Sequence, residues 1–246
     1  MRLSLDCFVA SLPRNDGVPI ARRTHFRYNR PADQPSRQEG DLVASAHAPS
    51  RLFLIRHGET EWSLSGQHTG RTDIALTARG EEGARALEPF LRDIAFARVL
   101  ASPRTRAQRT CALAGLAQSV AIEPDLAEWD YGDYEGLRSA EIHKERPGWN
   151  IFRDGCPGGE SPADVSDRAD RLIGRLRAQG GNTAGFTHGH FGRVLATRWI
   201  GLPVIEGQHF AISVASVGVL GFEPSHPDTM ALELWNFSPS GQKWSA

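Results

Sequence analysis

The stretch RLFLIRHGET, residues 51 to 60, decides how this chain is read. Leu52 to Ile55 form an apolar run that passes directly into Arg56, His57 and Gly58. A short apolar run stopped by Gly reads as a buried strand that delivers its last side chains to the edge of a sheet. An Arg-His pair at a strand end is, taken alone, most often solvated or hydrogen-bonded, so its meaning rests on what else converges there.

Working outward, strands and helices alternate from residue 51 onward. Residues 77 to 93 read as a helix, with Ala84, Leu87 and Leu91 on one face, Thr77 as N-cap, and Glu81 and Glu82 in the first turns. Residues 97 to 102 read as strand, 104 to 117 as helix, 120 to 123 as strand, 161 to 179 as a long helix capped by Ser161, and 182 to 188 as a fourth strand. A helix over 191 to 201 and strand-like runs at 213 to 222 and 230 to 237 complete the chain. This alternation predicts a three-layer α/β/α domain with a mostly parallel central sheet. In such a sheet the ligand site lies outside the carboxyl ends of the strands. Residues 1 to 48 stand apart, with seven Arg, scattered Pro and Ser, and no sustained period of 2 or 3.6. They are expected to form a weakly ordered extension ahead of a domain over 49 to 246. Five acidic residues among them oppose an Arg-rich transit peptide.

Composition removes several function classes. A formal net charge of -1 and a pI near 6.8 give no bias toward nucleic acid or an anionic membrane, so any anion site must be local. Lys144 and Lys243 are the only lysines and no GxxxxGK[ST] loop occurs, which argues against a P-loop nucleotidase or a Schiff-base enzyme. Cys7, Cys111 and Cys156 lie far apart without a CxxC pair, so neither a disulfide framework nor a thiolate zinc site is indicated, and a reducing compartment is favoured. No apolar run approaches the roughly 18 residues of a membrane span. The expectation is a soluble, cytoplasmic protein with no nucleic-acid or membrane partner.

Three strand ends carry polar residues of one chemical kind. The first ends in Arg56-His57-Gly58, the second in Ser102-Pro103-Arg104-Thr105-Arg106, and the fourth in Thr187-His188-Gly189-His190. If all three reach the same edge, guanidiniums and imidazoles converge on a pocket suited to a dianion, since guanidinium forks match phosphate geometry. Helices opening after Ser102 and His188 add N-terminal amides to that anion. The loop LAEWDYGDYEG, 126 to 136, carries four acids, Glu128, Asp130, Asp133 and Glu135, and leaving-group protonation requires an acid facing such a pocket. Trp62 and Trp129 read as wall packing.

Together RHGET from Arg56, RAxxT from Arg106 to Thr110, the LxEWxYGxYEG loop and THGH from Thr187 to His190 resemble the histidine phosphatase superfamily, in its phosphoglycerate-mutase-like branch. The resemblance covers roughly residues 51 to 237. It implies that His57 is a nucleophile that becomes phosphohistidine, that Arg56, Arg106 and His188 cradle the phosphate, and that Glu128 protonates the leaving oxygen and then activates water. It implies no metal and no cofactor. His190, which makes an HxH with His188, reads as structural rather than as a metal ligand.

Mutases of this family carry an Arg-rich insert ending in a Pro-rich run after the acid loop, and the corresponding stretch here, 139 to 162, has none. Ser63 also stands where mutases usually carry Asn. ETEWSLSGQHTGRTDIALT, EWDYGDYEG, WNIFRDGCPGGES and the HGHxxR of His188 to Arg193 resemble the family's sugar-bisphosphatase group, typified by fungal sedoheptulose-1,7-bisphosphatase. That resemblance implies substrate contacts from Thr69, Tyr131 and Arg193, with His68, Ser102 and Gly189 beside them, and a small phosphorylated metabolite as partner. A phosphoglycerate mutase, a protein phosphatase and a non-catalytic module that only binds phospholigands stay open as alternatives. Residues 139 to 162 are long enough for a lid, which favours small molecules. The run 213 to 222 could serve as an edge strand in a homo-oligomer or as a core strand.

Overall fold

The computed structural model describes residues 51 to 239, and the expected extension at 1 to 48 lies outside the described residues. β1 (Arg51–Arg56) is the strand that RLFLIR predicts. Leu52 and Leu54 join one apolar cluster and Phe53 and Ile55 another, because successive side chains of a strand point to opposite faces. A strand apolar on both faces belongs in the middle of a covered sheet.

The chain continues through α1 (Glu61–Ser65), α2 (Ala78–Arg85), α3 (Glu88–Leu91), β2 (Arg98–Ala101), α4 (Thr105–Leu113) and β3 (Val120–Ile122). Then follow α5 (Ser139–Glu145), α6 (Ile151–Asp154), α7 (Pro162–Gln179), β4 (Asn182–Thr187), α8 (Gly189–Trp199), β5 (Val217–Glu223) and β6 (His226–Phe237). The strands form one sheet in the order β3-β2-β4-β1-β5-β6. β1 to β4 run parallel, and β5 and β6 are antiparallel. Leu87, Leu91, Ala107 and Cys111 cover one face from the α2–α4 side, while Val165, Leu172, Leu195 and Trp199 of α7 and α8 cover the other. This is the mostly parallel, three-layer arrangement the alternation predicts. β5 lies between β1 and β6, so 213 to 222 contributes a core strand.

Several boundaries differ from expectation, each for a local reason. The helix expected over 77 to 93 breaks between α2 and α3, because Pro89 has no N–H for the Arg85 carbonyl and its ring would crowd that carbonyl. The helix expected to reach residue 117 stops at Leu113. Gly115 at φ 82 lets the Leu116 N–H close on the Cys111 carbonyl oxygen (3.1 Å) and the Gly115 N–H on that of Ala112 (3.1 Å), a Schellman ending. The strand expected from 213 begins at Val217, since Ala215 sits at φ 48 in a turn closed by Ser216 Oγ donating to the Ser213 carbonyl oxygen (2.7 Å). The helix expected from 191 starts at Gly189, which moves His190 onto its first turn. Residues 139 to 162 do not hang over the sheet as a lid. Ile142, Trp149, Ile151 and Phe152 are buried in the α7–α8 cluster, so the segment is a fixed wall.

Parallel pairing places the carboxyl ends of β1, β2 and β4 at one edge. Arg56 stands level with Thr187, and the ladder runs one residue further, with His57 N–H donating to the Thr187 carbonyl oxygen (3.0 Å) and Ser102 N–H to that of Phe186 (2.9 Å). Two glycines bring α2 against this edge. A Cβ on Gly58 would stand 2.4 Å from the Gly80 carbonyl oxygen, and one on Gly80 2.1 Å from that of Glu59. Gly80→Ala is therefore expected to destabilise the fold by about 1–3 kcal/mol through overpacking, measured as a lowered urea midpoint at unchanged slope.

Candidate active site

At the common strand edge lies a cavity of about 230 Å³ lined by Arg56, His57, Glu128, Tyr131 and Gly189 together with Trp62, Thr69 and His190. His57 Nδ1 is 2.7 Å from the Gly58 carbonyl oxygen. A carbonyl can only accept, so Nδ1 carries the hydrogen and Nε2 keeps its lone pair. Burial, then the charges of Arg106 and Arg56, push the His57 imidazole well below the usual histidine range. It is neutral at neutral pH and keeps one ring nitrogen, Nε2, without a committed proton.

Arg56 and Arg193 are the guanidiniums that line the cavity among the described residues, and Arg56 is the one next to His57. Its Nη1 donates to the Ile212 carbonyl oxygen (2.7 Å), while its buried Nε has no partner. An unmet donor in a dry pocket is costly unless an anion meets it. Gly189 makes room for it, since a Cβ there would stand 3.3 Å from Arg56 Cζ. Arg106 and His188, expected to face the phosphate beside Arg56, are buried next to His57 and are not among the residues that line the cavity. Arg106 is 1% exposed. Its Nη1 donates to the Thr72 carbonyl oxygen (2.9 Å) and its Nη2 to that of Thr69 (2.7 Å), because the 69–72 loop turns its carbonyls inward. Its Nε donates to His188 Nδ1 (3.2 Å). Nδ1 must then accept, so His188 gives its Nε2 hydrogen to Ser102 Oγ (2.7 Å). The His188 ring lies 5.1 Å from that of His57, which joins this chain of hydrogen bonds to the His57 imidazole.

Glu128 is held by three backbone donors. Oε1 accepts from Trp129 N–H (2.9 Å) and Phe191 N–H (2.8 Å), and Oε2 from His190 N–H (3.1 Å). Two of these belong to the first turn of α8, whose orphan N–H groups the carboxylate caps. Four lone-pair positions less three leave one on Oε2 free for a proton. Beneath the loop, Arg168 of α7 grips both Glu160 oxygens (2.8 Å each) and the carbonyls of Asp125 (3.0 Å) and Ala127 (2.7 Å). Glu160 Oε2 in turn accepts from Asp130 N–H (2.9 Å). The sequence reading missed Arg168 and Glu160. Arg168 lies in no motif, and Glu160, although inside WNIFRDGCPGGES, carries no local sign of its partner eight residues further on.

The expected substrate contacts divide. Thr69, Tyr131, Gly189, His68 and Arg193 line the cavity, whereas Ser102 is sealed behind it on His188. Arg193 Nε and Nη2 donate to the carbonyl oxygens of Gly207 (2.8 Å) and Gln208 (2.7 Å). His190, expected to be structural, lines the cavity while its Nδ1 meets Tyr131 Oη at 2.7 Å. Burial raises the Tyr131 phenol well above its usual range, so it keeps its proton and shares one hydrogen bond with His190 Nδ1. Among the described residues no group of three or more His, Cys, Asp or Glu side chains is placed to hold a metal ion. Trp62 lines the cavity, while Trp129 is fully buried with its Nε1 donating to the Glu160 carbonyl oxygen (3.0 Å). Ser63 also lines it, and its hydroxyl closes a capping box with Thr60. Glu135 takes the N–H groups of Gly70 and Thr72 (3.0 Å each), so it shapes the 69–72 loop.

Residues 52–237 match the family described as Histidine phosphatase superfamily (branch 1). The chain is similar to an acid phosphatase of Mycobacterium tuberculosis, 44% identical over 177 residues, covering 70% of this chain and 87% of the relative. It is similar to sedoheptulose 1,7-bisphosphatase of Saccharomyces cerevisiae, 37% identical over 187 residues, covering 63% of this chain and 69% of the relative. A solved structure of a Mycobacterium tuberculosis open reading frame product superposes with a TM-score of 0.72 at 40% identity, over 77% of this chain and 98% of that one. No described helix is long and apolar enough to cross a membrane.

The site's buried imidazoles couple it to pH. His57, His188 and His190 are held well below the usual range and His68 is pushed down to about 4, in each case chiefly by burial. Below the ordinary histidine pKa of about 6.5 the unfolded chain binds protons that the folded one does not, so stability falls as pH falls. The urea midpoint is expected to drop progressively between about pH 6.5 and 4, the window His68 sets.

Proposed function

Because this chain belongs to the histidine phosphatase superfamily and is on that membership a phosphatase, we propose that it hydrolyses phosphomonoesters of small sugars through a phosphohistidine on His57. The observation that carries this reading is the tautomer of His57. Its proton is committed to the Gly58 carbonyl, and it lines a cavity in which Glu128 is the carboxylate among the described lining residues.

In the first step Nε2 attacks phosphorus, the N–P bond forms as the ester P–O bond breaks, and the proton on Glu128 Oε2 passes to the leaving oxygen. Glu128 then takes a proton from water as that water attacks phosphorus, which frees phosphate and restores both residues. Phosphoryl transfer asks mainly for in-line positioning and charge neutralisation. Arg56 faces the equatorial oxygens with its unpaired Nε, while Arg106 and His188 act from behind, by charge and by holding His57 and the 69–72 loop. The similarity to a relative named sedoheptulose 1,7-bisphosphatase and the donor-rich lining support a sugar phosphate as substrate.

The test is phosphate release in chelator from sedoheptulose 1,7-bisphosphate, fructose 1,6-bisphosphate, 3-phosphoglycerate and p-nitrophenyl phosphate. A sugar bisphosphate is expected to be preferred, and His57→Ala to abolish release from all four. Activity that survives loss of His57 overturns the mechanism. Glu128→Gln is expected to slow sugar phosphate hydrolysis about 10²–10⁴-fold, the range of general acid catalysis. Its effect on p-nitrophenyl phosphate should be much smaller, because that leaving group departs without a proton.

A further inference from the structure

The carboxylate that lines the cavity stands on a segment that is neither helix nor strand. Glu128 lies between Leu126 and Gly132, where no ladder holds the backbone. Buried carbonyls in such a segment still need donors, and one side chain of α7 supplies several. Arg168 gives its Nη1 hydrogens to the carbonyl oxygens of Asp125 (3.0 Å) and Ala127 (2.7 Å), and one Nη2 hydrogen to that of Glu128 (3.3 Å). Its Nε hydrogen and the other Nη2 hydrogen go to Oε1 and Oε2 of Glu160 (2.8 Å each). All five N–H donors of the guanidinium are thereby committed. Neither Arg168 nor Glu160 lines the cavity.

The same guanidinium also lies against a residue that orients the acid. Its Cζ stands 4.1 Å over the ring of Phe191, and Phe191 N–H is one of the three donors to the Glu128 carboxylate. Glu160 closes the frame from the other side of the loop. Its Oε2 accepts from Asp130 N–H (2.9 Å), and its own N–H donates to the Asp130 carbonyl oxygen (2.9 Å). Gly159 permits this approach, since a Cβ there would stand 2.2 Å from that same oxygen. A fork of two parallel Arg–carboxylate bonds fixes direction as well as distance. Arg168 and Glu160 therefore hold both the backbone that carries Glu128 and the helix end that grips its oxygens.

We propose that Arg168 and Glu160 are positioning residues for general acid catalysis, and that by aiming the free Glu128 lone pair at the leaving oxygen they decide which esters the site turns over. The inference rests on the reading of Glu128 as the proton donor. An ester whose leaving group must be protonated as it departs depends on the aim of that donor, whereas one whose leaving group is a stable anion does not. The frame thus confers competence toward basic leaving groups, such as the alcohols of sugars, without touching the substrate.

The experiment compares p-nitrophenyl phosphate, phenyl phosphate and fructose 1,6-bisphosphate, whose leaving groups are increasingly basic, by kcat/KM. That ratio reports the step in which the leaving group departs. Wild type is set beside Arg168→Lys, Glu160→Gln and Glu128→Gln. Arg168→Lys keeps the charge but replaces five forked donors by three on one nitrogen, and Glu160→Gln keeps the shape while removing the charge that the fork grips. In both, fructose 1,6-bisphosphate hydrolysis is expected to fall about 10²-fold, the cost of a displacement of about 1 Å, and p-nitrophenyl phosphate hydrolysis at least about tenfold less. The dependence on leaving group then steepens toward that of Glu128→Gln. An equal loss for all three esters, which a purely structural role or a smaller folded fraction produces, overturns the inference while Glu128→Gln stays selective. Because the readout is a ratio between esters, a variant that folds only in part still reports it. If Glu128→Gln is itself unselective, or wild type hydrolyses none of the esters, the reading of Glu128 as the acid fails and the inference falls with it.

Discussion

The parallel pairing of β1 with β4, and of β4 with β2, is the constraint on which the rest depends. It sets Arg56 level with Thr187 and carries the ladder on through His57 and Ser102. A slip of one residue would turn Leu52 and Leu54 to the face now filled by Phe53 and Ile55, and would turn His57 away from His188. Both faces of β1 are buried, so the apolar packing that fixes register also fixes the site. Core stability and functional geometry are here one property.

Around that edge, positive charge is kept where no water screens it. Arg106 and His188 pack beside His57 without lining the cavity, and their mutual hydrogen bond defines which nitrogen of His188 carries hydrogen. Burial, and then the neighbouring guanidiniums, hold the His57 and His188 imidazoles neutral. The opposing group, Glu128, is fixed by a different device, the N-terminus of α8, with Arg168 and Glu160 bracing the loop from below. His57 and Glu128 therefore stand on separate elements whose separation is set by the packing of α7 and α8 on the sheet.

Much of this was legible along the chain. The apolar run of β1, the Ser161 cap of α7 and the polar tails of three strands each carry a local signal, and they led to the fold, the family and the residues at the strand edge. Boundaries failed where a local signal was outweighed by another, as at Pro89 or at Ala215 in its left-handed turn. Site membership was misjudged where it depended on direction. Arg106 and Arg56 look equivalent as residues near strand ends, but one meets the inward carbonyls of the 69–72 loop and the other meets a cavity. His190 was read as structural because a helix start two residues later would have left it on a turn.

The amino-acid order by itself determined the alternation of elements, the residue types that meet at the strand ends and the class of chemistry those types can perform, because periodicity and side-chain functional groups are local properties. Only the tertiary structure decided which donors remain free, which histidine nitrogen is available, and that 139 to 162 is a wall rather than a lid. Those outcomes depend on hydrogen-bond partners and packing between residues far apart in the chain, such as Arg106 with Thr72 or Arg193 with Gly207, and no local signal encodes which of several candidate partners will be reached.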